Sequence, residues 1–319
     1  MSKYILKQES DAPKHINYKA HFDDNIDLIH HLEELKKSWN ISEYGEKKFQ
    51  LMEVVEGMEV AISGFYNGHD WLRDKNGKAQ FFINFEHKKE TDGDLGETTG
   101  EMGTLFFGTD EDHGLVKQVM LPKEIEDVLR ETSYRGVFDI NGSLTEKGYV
   151  AFEATSRFGI PATSYEFMEG LKSNTGEMLA SMAMGEDNPI QIVKGWGLCQ
   201  VIASKPFPVD SELDDKDTSR GEKLWIMGQN EHSVADFDKE QLKHIHLENF
   251  ERTKDGDYKV ATKNGYLLVV TAVDKSIAKV REKLLKYIKD NIFIAGIKYR
   301  HDLGERIEEY EEDIEENKL

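Results

Sequence analysis

Hydrophobic and polar positions change period along this chain, and the changes mark its elements. "KYILK" at 3–7 alternates as a strand does, and a polar, turn-rich stretch follows from Gln8 to Lys19. Residues 23–37, "DDNIDLIHHLEELKK", open with acids suited to a helix N-terminus and then repeat Ile26, Ile29, Leu32 and Leu35 at helical spacing. "FQLMEVV" at 49–55 and "MEVAISGFY" at 58–66 predict two strands broken at Glu56–Gly57, and "AQFFINFEHK" at 79–88 predicts another. The stretch 89–103 is rich in Gly, Asp and Thr and reads as a loop too polar for a core. Pro122 opens a helix over 122–132, since proline is tolerated in a first turn. Strands at 134–142 and 148–156 flank the turn "TEKG", and 163–185 reads as one methionine-containing helix.

From about 190 the texture shifts to short strands, "CQVIAS" and "KLWIM", separated by the acidic "DSELDDKD". A strand at 266–273 precedes a helix at 275–290 whose Ile277, Val280, Leu284 and Ile288 mark one face. The tail 305–319, "ERIEEYEEDIEENKL", reads as solvated or frayed. Strands and helices in this mixed order predict an α+β fold with a boundary near 187–190.

Composition narrows the function classes. The 319 residues are 38% hydrophobic and 10% aromatic, enough for packed cores. Acids outnumber bases 61 to 41, a formal charge of −20, which argues against broad contact with a nucleic-acid backbone. Cys199 is the single cysteine, so no intrachain disulfide can form and a reducing compartment is expected. "MSKYILKQES" has no apolar signal region, and the longest apolar run, 266–273, is too short to span a bilayer. The expectation is a soluble cytoplasmic protein with neither nucleic acid nor membrane as partner.

Candidate chemistry concentrates in a few places. Asp139 in "RGVFDING" and Glu153 in "VAFEATS" sit on adjacent predicted strands, where facing carboxylates can converge as hard ligands for Mg²⁺. Equally, Asp139 can be a strand-end residue near solvent and Glu153 a partner of Arg157. Lys7 ends a strand, where it can meet a phosphate as a point charge or simply face solvent. Glu53 and Glu59 flank the Glu56–Gly57 break, a segment whose backbone could meet an adenine edge and whose acids could accept ribose hydroxyls. "HKKETDGDLGETTGEMG" at 87–103 is either an anion cradle of backbone amides or a long solvated hairpin loop. His30–His31 and the pair His244 and His246 lack the companions of a zinc site. No GxSxG elbow, Walker A loop or GxGxxG fingerprint occurs.

Taken in order, these segments resemble the ATP-grasp ligases, specifically the glycinamide ribonucleotide synthetase (phosphoribosylamine–glycine ligase) family. "MEVVEGMEV" is similar to the family's Glu-containing hinge, and "HKKETDGDLGETTGEMG" to its HKR…DGDTGPNTGGMG loop. "FEATSRFGIPA" is similar to its EFNxRFGDPE strand, and "GYLLVVTAVDKSIAKVREKLLKYIKDNIFIAGIKYRHDLGER" to its last strand, helix and YRxDIG ending. The resemblance covers about residues 3–306.

The resemblance implies two α+β lobes clasping a nucleotide, followed by a small mixed C-terminal domain. The expected division is 1–56 (lid), 57–188 (core), 189–304 (C-terminal domain) and 305–319 (acidic tail). It assigns Lys7 to ATP phosphates and to catalysis with Arg157, Glu53 with Val54 and Val55 to adenine, and Glu59 to ribose. Glu153, Asp139 and Thr155 would hold Mg²⁺ or Mn²⁺. His87, Lys88, Asp92, Asp94, Thr99 and Arg157 would face the substrates, glycine and phosphoribosylamine or analogues. The reaction implied is ATP-driven formation of an acyl phosphate, then attack by an amine; the alternatives are a diverged ligase for another amine–carboxylate pair and a catalytically degenerate nucleotide-binding module.

Departures from the pattern are also expectations to test. Thr155 stands in place of a metal-binding Asn, Ile160 and Ala162 in place of acids, Thr98 in place of an Asn and Glu101 in place of a Gly. "QESDAPKHIN" replaces a Gly-rich lid loop. The family's N-terminal domain has no counterpart in these residues, so a fragment, or one half of a split enzyme with a separate N-terminal chain as partner, is expected. Asp139 matches an acid that related ATP-grasp ligases carry on the strand before the Glu strand.

Overall fold

Strand β1 (Tyr4–Glu9) pairs antiparallel with both β2 (Lys19–Phe22) and β3 (Lys48–Glu53), making the three-stranded sheet of a first unit, Met1–Met58. The computed structural model describes residues 4–9, 19–22, 25–38, 48–159, 162–208, 217–224 and 241–317. Helix Asn25–Ser38 forms where the periodicity predicts it, but its stripe is reversed: Leu28 is buried whereas Ile26, Ile29 and Leu32 lie exposed. A period of 3.6 locates an apolar stripe without saying what covers it.

The second unit, Glu59–Leu319, is organised by one eight-stranded sheet. Its strands are β4 (Met58–Asn67), β5 (Gln80–Thr91), β6 (Leu95–Asp110), β7 (Arg135–Thr145), β8 (Gly148–Thr155), β9 (Trp196–Ala203), β10 (Ile245–Leu247) and β13 (Tyr266–Asp274). Their order is β10-β13-β9-β6-β5-β4-β7-β8. Strands β11 (Phe250–Arg252) and β12 (Tyr258–Val260) form a separate ribbon. The chain divides into its two units at Met58, whereas the sheet runs on past 188/189 because β9 pairs with β6.

Alternation gives the sheet two buried faces. Phe65, Phe82, Phe106, Val201 and Val269 pack with Phe167 of helix Ala162–Gly170 and with Met178 and Met182 of helix Thr175–Met184. The predicted helix 163–185 is thus two helices. Leu171 bridges to Ile192, and the Asn174 side chain accepts a hydrogen bond from Glu177 N to cap the second helix, so the chain restarts there. Residues of opposite parity, Leu105, Leu198, Leu268 and Val270, are also buried. The helix Ile277–Asn291 packs on β9 and β13, and its Ile277, Val280, Leu284 and Ile288 are all buried as the spacing predicts.

Two other expectations are corrected. The polar stretch 89–103 is mostly strand: β5 continues to Thr91 and β6 begins at Leu95, with a turn at Asp92–Asp94. The acidic tail is docked rather than frayed. Ile307 and Ile314 are buried, Trp196 Nε1 donates to Glu315 Oε1 (2.8 Å), and Ile277 N donates to Glu311 Oε1 (3.0 Å) at the start of the last long helix. Acids dominate the tail's composition, but the two isoleucines and the capping carboxylate decide its fate.

Candidate functional site

The hairpin β7–β8 builds the site's floor. Its register sets Asp139 opposite Thr155 and Asn141 opposite Glu153. Directly opposed residues of an antiparallel pair project to the same side, so four oxygen-bearing side chains share one face. Asp139 is buried, and its Oδ2 accepts from Asn141 Nδ2 at 2.9 Å. Its Oδ1 is buried with no hydrogen-bond partner among the described residues. The Asn141 amide nitrogen also lies 3.5 Å from Thr155 Oγ1. Glu153 and Arg157 are exposed, and Arg157 Nη1 donates to Phe158 O (3.0 Å).

Behind this floor the sheet carries further polar groups in its core. Glu166, on the covering helix, is fully buried. With the Asn84 amide nitrogen turned toward it, Asn84 donates to Glu166 Oε1 (2.8 Å) and accepts from the Ser63 hydroxyl. Burial, then the nearby carboxylates of Asp139, Glu101 and Glu86, push the Glu166 carboxyl well above the usual range. Burial, seconded by Glu86 and opposed by Asn141, Ser63 and Arg157, raises Asp139 to about 7. Beside them Lys88 Nζ pairs with Glu59 and with Glu86 (3.1 Å). Burial disfavours the lysine's charge, but those two carboxylates outweigh it and hold its pKa above the ordinary value.

The hairpin tip is handled differently. Arg300, itself buried, pairs with Asp94 (2.7 Å) and through Nη2 with Asp302 (2.7 Å), and donates to Lys89 O (3.1 Å). Arg306 reaches Asp94 (3.3 Å) and the carbonyl of Glu86, and Asp92 accepts from His301 N (2.7 Å). Asp302 in turn accepts from Gly93 N (2.8 Å), at a turn whose Gly93 has φ 70°. "RHD" at 300–302 therefore clamps "DGD" at 92–94, more than two hundred residues earlier in the chain.

The structure brings some of the sequence-predicted residues together and separates others. Asp139, Thr155 and Glu153 meet on the β7–β8 face. Glu59 and Lys88 form an ion pair on β4 and β5. His87 alternates with Lys88 and turns the other way: it is buried, and its Nε2 accepts from Gly304 N (3.0 Å). Burial, with the charges of Arg306 and Arg300, lowers it to about 3. Asp92 and Asp94 are held in the clamp. Thr99 is buried and donates to Lys88 O (2.9 Å). In the first unit, Glu53 ends β3 exposed and Val54 and Val55 beyond it are half-buried. Lys7 lies on β1, but its side chain is outside the described residues, as are Ile160 and the side chain of Ala162.

Asn141 and the buried Glu166 and Asn84 were not singled out from sequence. Asn141 had a readable signal, being two residues from Asp139 and so on its face. His244 Nδ1 meets Glu169 (3.1 Å) and His246 Nε2 meets Thr271 Oγ1 (3.1 Å).

No group of three or more His, Cys, Asp or Glu forms a ready-made metal cage among the described residues. Magnesium needs none, since one or two carboxylates suffice when phosphates and water complete its shell. The buried Asp139 Oδ1, with no hydrogen-bond partner among the described residues, fits such an ion. No helix among the described residues is long and apolar enough to cross a membrane.

Comparison with known proteins bears on the fold that carries this face. Residues 28–163 match the family model of the phosphoribosylglycinamide synthetase ATP-grasp (A) domain. The phosphoribosylamine–glycine ligase of Halalkalibacterium halodurans is 24% identical over 262 residues, 80% of this chain and 54% of that protein. The human trifunctional purine biosynthetic protein adenosine-3 is 27% identical over 231 residues, 69% of this chain and 21% of that protein. The chain thus spans about half the length, or less, of these relatives. Among solved structures, the phosphoribosylamine–glycine ligase of Thermotoga maritima superposes with a TM-score of 0.61 at 17% identity, covering 94% of this chain and 68% of that one. The biotin carboxylase domain of Hydrogenobacter thermophilus 2-oxoglutarate carboxylase, solved with MgADP and bicarbonate, gives 0.54 at 12% identity, covering 99% of this chain and 62% of that one. The molecule has the ATP-grasp fold and is similar to the phosphoribosylamine–glycine ligases, whose ATP-grasp (A) domain its residues 28–163 match.

Proposed function

We propose that the chain is the nucleotide-binding and catalytic part of an ATP-dependent ligase that joins a carboxylate to an amine through an acyl phosphate. The observation that carries this is the β7–β8 face, where Asp139, Asn141, Glu153 and Thr155 align in register on an ATP-grasp sheet. Asp139 and Glu153 would hold Mg²⁺ or Mn²⁺. The chemistry these residues would thereby gain is neutralisation of the charge that develops in phosphoryl transfer.

The chain's own residues supply the rest. Arg157, exposed four residues beyond Glu153, is a cation available to an anionic substrate or the transferring phosphoryl group. Lys7 would contact the phosphates, Glu53 with the backbone of Val54 and Val55 the adenine, and Glu59 the ribose. Lys88 holds Glu59 and Glu86 in fixed positions at the edge of the acidic face. The buried Asn84–Glu166 pair stiffens the sheet beneath it. With glycine and phosphoribosylamine as substrates the reaction would belong to purine biosynthesis.

A second reading keeps the chemistry and changes the substrate pair. It is favoured by the residues expected on the substrate side, because His87 faces the other way and Asp92 and Asp94 are committed to the Arg300 clamp. Phosphate release separates the two. Under the first reading, ATP, Mg²⁺, glycine and phosphoribosylamine release phosphate, with or without an added N-terminal part from a full-length relative. Under the second, ATP binds but only another acid–amine pair triggers release. Glu153→Gln abolishes release under both, and a Glu153→Gln chain that behaves as wild type in nucleotide binding and phosphate release contradicts both.

A further inference from the structure

Strict alternation would keep Glu153 and Asp139 on opposite faces of the sheet. Where β7 and β8 leave their turn the register is regular: Thr145, Leu144, Ser143 and Gly142 stand opposite Gly148, Tyr149, Val150 and Ala151. Continued residue for residue, it would set Asn141 opposite Phe152 and Asp139 opposite Ala154. Glu153 and Thr155 would then share the far face with Tyr149 and Ala151. Instead the register shifts between Asn141 and Gly142, and Phe152 is left as an extra residue of β8. Glu153 thereby comes opposite Asn141, and Thr155 opposite Asp139. A β-bulge re-aims the side chains beyond it in this way.

Burial does little to choose between the two registers, because Val150, Ala151, Glu153 and Ala154 are all exposed. Nor does a further strand choose, since β8 is the last strand of its sheet among the described residues. The contacts beside the bulge do favour one. The Tyr149 ring lies across β7 at Gly142: a Cβ on that glycine would stand 2.5 Å from Tyr149 Cζ and 2.5 Å from the carbonyl oxygen of Val150. Past the glycine, the Tyr149 hydroxyl shares its one proton between the carbonyls of Ile140 on β7 and Val60 on β4, each 2.9 Å away. A side chain of the edge strand is thus fastened to the two strands inside it.

Resting on the reading of the β7–β8 face given above, we propose that Tyr149 and Gly142 are positioning residues of that face, locking the bulge that turns Glu153 to the side of Asp139. Tyr149 acts through the strand register, and Gly142 acts by leaving room for the ring. Without this strap β8 relaxes to the regular register, and Glu153 and Thr155 turn away from Asp139.

Paired cysteines in the full chain read the register directly, because opposed residues of an antiparallel pair lie within reach of a disulfide. Ile140→Cys with Ala154→Cys spans the observed register and leaves Asp139, Asn141 and Glu153 in place. Ile140→Cys with Glu153→Cys spans the regular one. The native Cys199 is buried away from both. After mild oxidation, peptide mapping by mass spectrometry is expected to find the first bridge and not the second. Adding Tyr149→Ala is expected to lower the first several-fold and to raise the second. Tyr149→Phe, which keeps the ring and loses the hydroxyl, is expected to do the same in smaller measure. Undiminished bridging between positions 140 and 154 in both backgrounds overturns the proposal. Should Tyr149→Ala fail to fold by circular dichroism, Tyr149→Phe and Gly142→Ala carry the same decision.

ADP titrated once with Mg²⁺ and once with a chelator separates positioning from a general loss of structure. Tyr149→Ala is expected to keep the wild-type affinity in chelator and to lose the gain from Mg²⁺, on the order of tenfold. If both affinities fall together, the positioning role is overturned. If the wild-type chain shows no gain from Mg²⁺ while the bridges shift as expected, the reading of the face fails and the register device stands.

Discussion

The hairpin tip and the β7–β8 face both gather carboxylates, and they treat them in opposite ways. At the tip, Asp94 and Asp302 receive the buried Arg300 in short, directed ion pairs, with Arg306 adding to Asp94. Although burial works against it, Asp302 is pulled down to about 2 by that guanidinium and by Gly93 N, and Asp94 is lowered too. On the β7–β8 face, Asp139 and the Glu166 behind it have no lysine or arginine within ion-pair distance among the described residues, and both are pushed up instead. A carboxylate that has its cation inside the protein is structure. One that is buried without a cation is held at a cost in stability, which at Asp139 the proposed ligand would offset.

The largest expected effect breaks the tip. Arg300→Met leaves Asp302 without its cation and Asp94 with Arg306 alone, and is expected to destabilise the chain by about 3 kcal/mol, allowing for the partial exposure of Asp94. A urea-unfolding midpoint measures it, and a midpoint near wild type would remove the clamp from the account.

The complementary change at the other region should do the reverse. Asp139→Asn replaces a desolvated acid by a neutral group of the same shape, so the melting temperature is expected to hold or rise. ATP-dependent phosphate release is expected to fall on the order of a hundredfold. A variant that loses stability and activity together would make Asp139 a structural residue like Asp94.

A smaller, pH-dependent effect comes from His87, buried beside Arg300 and Arg306. Its folded pKa of about 3 lies below its ordinary value of 6.5, so the unfolded chain takes up a proton that the folded chain refuses. The stability from neutral His87 is complete above pH 6.5, is lost as pH falls from 6.5 toward 3, and is constant below. Within that window the expected slope is about 1 kcal/mol per pH unit, and His87→Gln, which keeps an acceptor for Gly304 N, should flatten it. An unchanged pH profile in that variant contradicts the assignment. Smallest of all, Trp196→Phe removes the hydrogen bond to Glu315 and is expected to cost about 1 kcal/mol by thermal melting.

The sequence pattern was legible where one face of an element meets one core. Ile277, Val280, Leu284 and Ile288 show this, as do the β7 and β8 runs with their turn. It misled where composition and packing disagree. Ile26, Ile29 and Leu32 repeat at helical spacing yet stand exposed, because periodicity does not name a partner. The tail's acids conceal Ile307 and Ile314, and the polar hairpin tip stays paired because Arg300, far away in sequence, holds it. For the site, Asp139 and Glu153 were legible as carboxylates on adjacent predicted strands, and the register sets them on one face. The resemblance passed over Asn141, which lies two residues from Asp139 on the same face of β7. It also grouped His87 with Lys88, although neighbours on a strand must face opposite ways.

The central claim is that the β7–β8 face holds a divalent cation together with a nucleotide. Titration calorimetry of ADP into the full chain, once with Mg²⁺ and once with a chelator, tests it most directly. The account predicts that Mg²⁺ tightens ADP binding on the order of tenfold or more and that Asp139→Asn removes the difference. The same ADP affinity with and without Mg²⁺ in the wild-type chain would contradict it.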